Sequence, residues 1–138
     1  MPLSADDRLD ILDLLARANW AADAKDVEGT AAHYLPDGRI TGAFTARPGA
    51  DFRPDLQRMY AGEGTRKRHA LVNPVIEGSG DAARVTWMMP VFEAEMAPAL
   101  VATCRVTDEL VRQDGRWLIR LHTIEIDPSM QADVGQNR

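Results

Sequence analysis

Leu9, Leu12, Ala16 and Trp20 recur at steps of three and four near the start of the chain, with Leu15 beside them and Arg8, Asp10 and Arg17 between. That is the period of an amphipathic helix. Ser4 precedes it as an N-cap, and Asp6 and Asp7 fall in the first turn, where negative charge meets unpaired N–H groups. Asp23 follows Trp20 by three residues, so helical register carries a carboxylate onto the apolar face. A second short helix is predicted over 27–34, ending at the turn Leu35-Pro36-Asp37-Gly38. A short strand over 39–44 and a loop over 45–53 follow, then a third helix opened by Pro54 and running to about Glu63. From His69 the period changes to two, giving strands near 69–77, 82–94, 98–112 and 116–126. Gly78-Ser79-Gly80-Asp81 separates the first two, and Asp114-Gly115 is a hairpin signal. Helices followed by an antiparallel meander describe an α+β domain whose sheet curls around a core, with the helices closing one side. The expected domain covers 1–127, and the aperiodic tail 128–138 lies outside it.

Composition narrows the function classes. The net charge is -5, and the one dense basic run, Arg66-Lys67-Arg68, is too short to track a phosphate backbone, so no nucleic-acid partner is expected. The apolar runs are too short to span a bilayer, so no membrane partner is expected either. A single cysteine, Cys104, makes no internal disulfide, and no secretory leader is read at the start; a cytoplasmic protein is expected.

The polar groups that alternation or helical register sends inward are the candidates for chemistry. Asp23 and His69 form the sharpest pair: a buried carboxylate needs a partner, and a histidine held through one ring nitrogen can present the other as a base. Asn73 shares the face of His69 and could bind an oxyanion or satisfy backbone groups. His122 shares its strand face with Leu118, Arg120 and Ile124, while Trp117, Ile119 and Leu121 share the other; which face meets the interior stays open. An exposed face carrying Trp117, Ile119 and Leu121 would favour self-association. Trp20, Tyr34, Phe52, Tyr60, Trp87, Met88, Met89 and Met96 could supply an aromatic and thioether wall, with core packing as their alternative role. Neither a metal site nor a nucleotide cofactor is expected: the histidines are widely spaced and no glycine-rich phosphate loop occurs.

The opening helix with Asp23, then Ala24-Lys25-Asp26, the turn Tyr34-Leu35-Pro36-Asp37-Gly38, the element Arg68-His69 with Asn73, and the late hairpin 107–117 together resemble the SnoaL-like branch of the nuclear transport factor 2-like (NTF2-like) superfamily. The resemblance covers about residues 5–127. It implies a cone-shaped barrel, N-terminal helices on a strongly curved, mainly antiparallel sheet around a pocket, assembled as a homodimer or homotrimer. The nearest likeness is to the lyases hexachlorocyclohexane dehydrochlorinase, scytalone dehydratase and bile-acid dehydratase, which implies Asp23 orienting His69 as the base. The dehydrochlorinase's cationic lysine and arginine are replaced by Ala18 and His122. A departing chloride would lack its partner charge, which leaves His122 as an acid helper in a dehydratase or isomerase. The expected function is therefore a cofactor-independent lyase or isomerase acting on a small hydrophobic, carbonyl-containing or polycyclic compound. The catalytic residues would be His69, Asp23 and His122, with Trp20, Tyr34, Asn73, Trp87 and Met89 around the substrate. A non-catalytic small-molecule binding protein, or an accessory subunit, is the alternative.

Overall fold

Ser4 fixes where the first helix starts. Its hydroxyl accepts from the Asp7 N–H at 3.0 Å, and the Asp7 carboxylate accepts from the Ser4 N–H at 3.0 Å, so two open donors are satisfied reciprocally. The other oxygen of Asp7 accepts from Arg112 at 2.6 Å and from the Trp117 indole at 3.2 Å, which ties the start of the helix to the sheet. The computed structural model describes residues 1–63, 66–95 and 97–127. In it α1 is Ala5–Asp23, α2 Val27–Ala31, β1 Tyr34–Gly42 and α3 Phe52–Glu63, with a short 3-10 turn at Gly49–Asp51 before α3. The strands β2 Lys67–His69, β3 Val72–Ser79, β4 Ala82–Glu93, β5 Ala99–Gln113 and β6 Arg116–Ile126 follow.

The strands form one strongly curved sheet in the order β1-β6-β5-β4-β2, with β3 also paired to β4. Every pairing is antiparallel except β1 with β6, a parallel pair that α3 and the strands β2 to β5, intervening in the chain, leave room to form. This is the α+β half-barrel expected from the sequence, with the helices packed on its concave side. The predicted strand 69–77 divides in two. Lys67, Arg68 and His69 pair with the far end of β4, and Val72–Ser79 with its near end, so His69 closes β2 instead of opening β3. The predicted turn at 35–38 lies inside β1, where the pairing to β6 is irregular between Tyr34 and Arg39.

Alternation sets the core. Val85, Trp87 and Met89 of β4 and Cys104, Val106, Asp108 and Leu110 of β5 point inward, against Ile11, Leu14 and Leu15 of α1 and Leu56 and Tyr60 of α3. The buried stripe of α1 therefore differs from the expected one: Leu9 is 65% exposed and Trp20 70% exposed. Apolar residues at 9, 11, 12, 14, 15, 16 and 18 offer two overlapping stripes, and the sheet takes the one through Ile11, Leu15, Ala18 and Ala22.

Strand β6 changes phase along its length. Leu110 pairs with Ile119 but Glu109 with Leu121, so Arg120 is an extra residue, a β-bulge. Trp117 and Ile119 face inward before the bulge, and His122 and Ile124 face inward after it. The face carrying Trp117 and Ile119, left open in the sequence, is thus buried, and the bulge after Ile119 turns His122 to the same side. Exposed apolar side chains lie instead on the outer side of β4 and the start of β5, at Met88, Phe92, Leu100 and Val101. At the end of β1, Gly42 has φ +96°, and a Cβ there would sit 2.1 Å from the Ile124 carbonyl oxygen. Only glycine permits that approach. Among the described residues no helix is long and apolar enough to cross a membrane.

Candidate active site

The concave face of the sheet and helices α1 and α3 enclose a cavity of about 70 Å³. A buried water needs roughly 10–15 Å³ on this scale, so the closed space is room for several waters or a small group of atoms. Most of the wall is apolar: Leu15 and Ala18 of α1, Ile40, Met59, Trp87, Met89, Ile119 and Ile124. Phe44, Met59 and Glu63 also border an open hollow with Thr45, Arg58 and Lys67, and so form the rim of the entrance. The loop beside that rim is anchored by Asp55, a buried carboxylate that accepts from the Arg47 backbone N–H and guanidinium, both at 2.9 Å, and from Arg58. The Arg47 hydrogen bonds hold the Asp55 carboxyl well below the usual range.

Two histidines reach the cavity, each held by an aspartate through Nδ1. Asp23 is the last residue of α1, and β2 runs past it. Its Oδ1 lies 2.6 Å from His69 Nδ1, and the same carboxylate accepts from the His69 backbone N–H at 3.1 Å. An ionised carboxylate only accepts, so Nδ1 carries the proton and Nε2 is left for the cavity. The His69 Nε2 lies 4.0 Å from Glu63 Oε1, while Glu63 Oε2 accepts from Lys25 at 2.8 Å.

The second pair, Asp108 with His122, is absent from the sequence reading. Asp108 is fully buried in β5 beside β6; its Oδ1 lies 2.5 Å from His122 Nδ1, and its Oδ2 accepts from Trp87 Nε1 at 2.7 Å. The sequence signal for it exists: Cys104, Val106, Asp108 and Leu110 alternate on one strand face, which places a carboxylate where every neighbour is apolar. Lys25, Asn19 and Glu63 also went unread; Asn19 and Glu63 line the cavity.

The remaining expected site residues divide. Tyr34, Trp87 and Met89 are on the cavity wall, as is Tyr60, whose hydroxyl is 2.7 Å from Thr30 Oγ1. Burial raises the Tyr60 phenol to about 12, and raises Tyr34 well above its ordinary value with added help from the Asp108 charge. Phe52 packs behind the wall, its ring centroid 4.9 Å from that of Tyr34. Two expected residues are corrected. Trp20 does not touch the cavity: it lies on the outer side of α1, over a groove bordered by Arg68 and Leu71. Asn73 is exposed on β3 at φ 52°, where the pairing with β4 slips, so alternation from His69 does not carry to it. Met88 is on the outer face, and Met96 lies outside the described residues. Among the described residues no group of three or more His, Cys, Asp or Glu is placed to hold a metal ion.

Comparison with known proteins agrees with this architecture. A protein of unknown function with a cystatin-like fold from Nostoc punctiforme PCC 73102 is 29% identical, with 94% of this chain and 97% of that one covered at a TM-score of 0.81. A protein of unknown function from Mycobacterium tuberculosis is 25% identical over 88% of this chain and 72% of that one, with a TM-score of 0.76. A Catenulispora acidiphila protein, solved in complex with S-DNPA, is 24% identical over 94% and 99%, with a TM-score of 0.77, and shares the fold. No curated protein matches the sequence. The family model described as the SnoaL-like domain matches residues 4–123. With nearly all of the helices and the sheet inside that match, the chain belongs to the SnoaL-like domain family.

Proposed function

We propose that the cavity is the active site of a cofactor-independent lyase of the dehydratase type, or of an isomerase, acting on a small apolar carbonyl compound. The observation that carries this reading is the 2.6 Å contact between Asp23 and His69 Nδ1, with the His69 ring on the cavity wall. Neutral His69 takes a proton from the carbon next to the carbonyl through Nε2, and Asp23 stabilises the imidazolium that results. The C–H electron pair forms a carbon–carbon double bond while the carbonyl electrons move onto oxygen, giving an enol or enolate. In the isomerase, whose substrate carries a β,γ-double bond, His69 returns the proton to the γ-carbon of the dienolate and the double bond moves into conjugation with the carbonyl. In the dehydratase, the enolate re-forms the carbonyl and expels a β-hydroxyl, which leaves as water with the Nε2 proton of a doubly protonated His122, and the proton gained by His69 then passes through that water to His122, so that both rings return to their starting state. Asp108 fixes the His122 ring for that donation, and Trp87 and Met89 hold the apolar body of the substrate.

The test is the elimination of water from 3-hydroxycyclopentanone, read as enone absorbance. His69→Ala is expected to lower kcat by roughly 10²–10⁴-fold, and Asp23→Asn to lower it less, because the base remains but loses its orientation. An unchanged rate in His69→Ala would remove His69 as the base. The apolar wall also favours a second reading, a small-molecule binding protein without turnover. In that case His69→Ala changes affinity and the wild-type protein catalyses no elimination.

A further inference from the structure

Glu63 ends α3 and stands where the cavity meets the open hollow outside it. Phe44 and Met59 are the other residues common to the two spaces, so Glu63 is the one ionisable side chain among the described residues that borders both. Its Oε1 lies 4.0 Å from His69 Nε2, and its Oε2 accepts from the Lys25 ammonium at 2.8 Å. The Lys25 side chain is more exposed than either of the others, so the three run from the cavity wall towards solvent. The 4.0 Å separation follows from where the protons are. Asp23 takes the Nδ1–H, so Nε2 of neutral His69 is an acceptor facing a carboxylate oxygen, with no proton between them. Once Nε2 gains a proton it becomes a cationic donor, and closing the gap by about 1 Å makes a charge-assisted hydrogen bond.

The backbone marks Lys25 as well. It follows Ala24, the C-cap of α1; its N–H donates to the Ala22 carbonyl and the Asp26 N–H to the Ala21 carbonyl, the paired bonds that close a helix on a left-handed residue. Lys25 takes φ 55°, where glycine is the unstrained choice. A lysine here gives up backbone stability and places its ammonium 2.8 Å from Glu63. Such strain is a pointer to function.

We propose that Glu63 is the proton relay between His69 and solvent, with Lys25 as its positioning residue. After His69 has taken a proton from the substrate carbon, the Nε2–H bond breaks towards Glu63 Oε1. A carboxylate lone pair forms the O–H bond, and the N–H electron pair stays on Nε2. Glu63 then yields that proton to water in the hollow, and a solvent proton returns by the reverse steps. The relay rests on the proposed function, since it has a proton to carry only if His69 takes one. In elimination the departing water carries the proton to His122. In isomerisation no water forms, so exchange with solvent before the γ-carbon is protonated requires a route that the protein supplies. Glu63 thus decides whether that carbon receives the substrate's own proton or one from water.

The test converts cyclopent-3-enone to cyclopent-2-enone in D₂O with the intact wild-type chain, Glu63→Gln and Lys25→Gly. Deuterium at the γ-carbon of the early product is read by NMR. Glu63→Gln keeps the shape of the side chain and an oxygen for Lys25 but cannot take up a proton. Wild type is expected to place deuterium at the γ-carbon. In Glu63→Gln the ratio of deuterium to protium there should fall roughly 10²-fold, the low end of what a positioned proton acceptor contributes. Lys25→Gly relieves the φ 55° backbone, so it should fold at least as stably as wild type, and it should lower the ratio by a smaller factor. A Glu63 that only supports the fold, or only adds charge to the site, would change the turnover rate and leave the ratio alone. An unchanged ratio in Glu63→Gln or in Lys25→Gly, or protium at the γ-carbon with wild type, would therefore overturn the relay while leaving His69 as the base. No isomerisation by wild type, or isomerisation retained in His69→Ala, would overturn the proposed function and the relay with it.

Discussion

At the scale of single residues the site depends on who holds which proton. Both histidines give Nδ1 to a carboxylate, but the carboxylates differ: Asp23 also accepts from the His69 main chain, and Asp108 from the Trp87 indole. One pair therefore joins a helix end to a strand, and the other lies wholly within the sheet. The two tyrosines, the only ones in the chain, report on the same interior. Burial raises Tyr60 to about 12 and Tyr34 well above its ordinary value, so the folded protein keeps these protons longer than the unfolded chain, whose phenols ionise near ~10. Their contribution to stability is full below about pH 10 and is lost as the pH rises towards the folded values. A spectrophotometric titration should show no phenolate step near pH 10, and ionisation only at higher pH or together with unfolding. A step at the ordinary value would place one phenol at the surface instead of on the cavity wall.

At the scale of elements, the type of each helix and most strands was legible from period alone, and the register was not. In α1 a dense run of apolar positions made two stripes equally good, and the choice depends on the curved sheet, which sequence spacing does not contain. Two substitutions test that register. Ile11→Ala removes a fully buried side chain and is expected to destabilise by about 2–5 kcal/mol. Leu9→Ala, at a position 65% exposed, should stay within about 0.5 kcal/mol of wild type. Denaturant unfolding reads both, and equal losses would contradict the stripe. In β6 the difficulty was the bulge: strict alternation groups His122 with exposed Arg120, and one extra residue separates them. Asp23 and His69 were legible because a carboxylate in helical register and a histidine at a strand boundary are local signals. Asp108 carried an equally local signal, an acidic residue within an inward apolar alternation, and it becomes informative only beside His122.

At the scale of the molecule, the order of helices and strands was enough to indicate an α+β half-barrel, while the parallel pairing of β1 with β6 was not, since it joins segments separated by most of the chain. That pairing is what brings Tyr34 of β1 and His122 of β6 to one cavity, facing α1, and so the long-range contact organises the site. The central claim is that His69, oriented by Asp23, removes a proton from carbon inside this cavity. Its most direct test is deuterium exchange at the carbons beside the carbonyl of cyclopentanone and cyclopent-2-enone, followed by NMR in D₂O with wild type and His69→Ala. The account predicts exchange accelerated by the wild-type protein and reduced at least about 100-fold in the variant. No acceleration by wild type, or acceleration retained in His69→Ala, would contradict it.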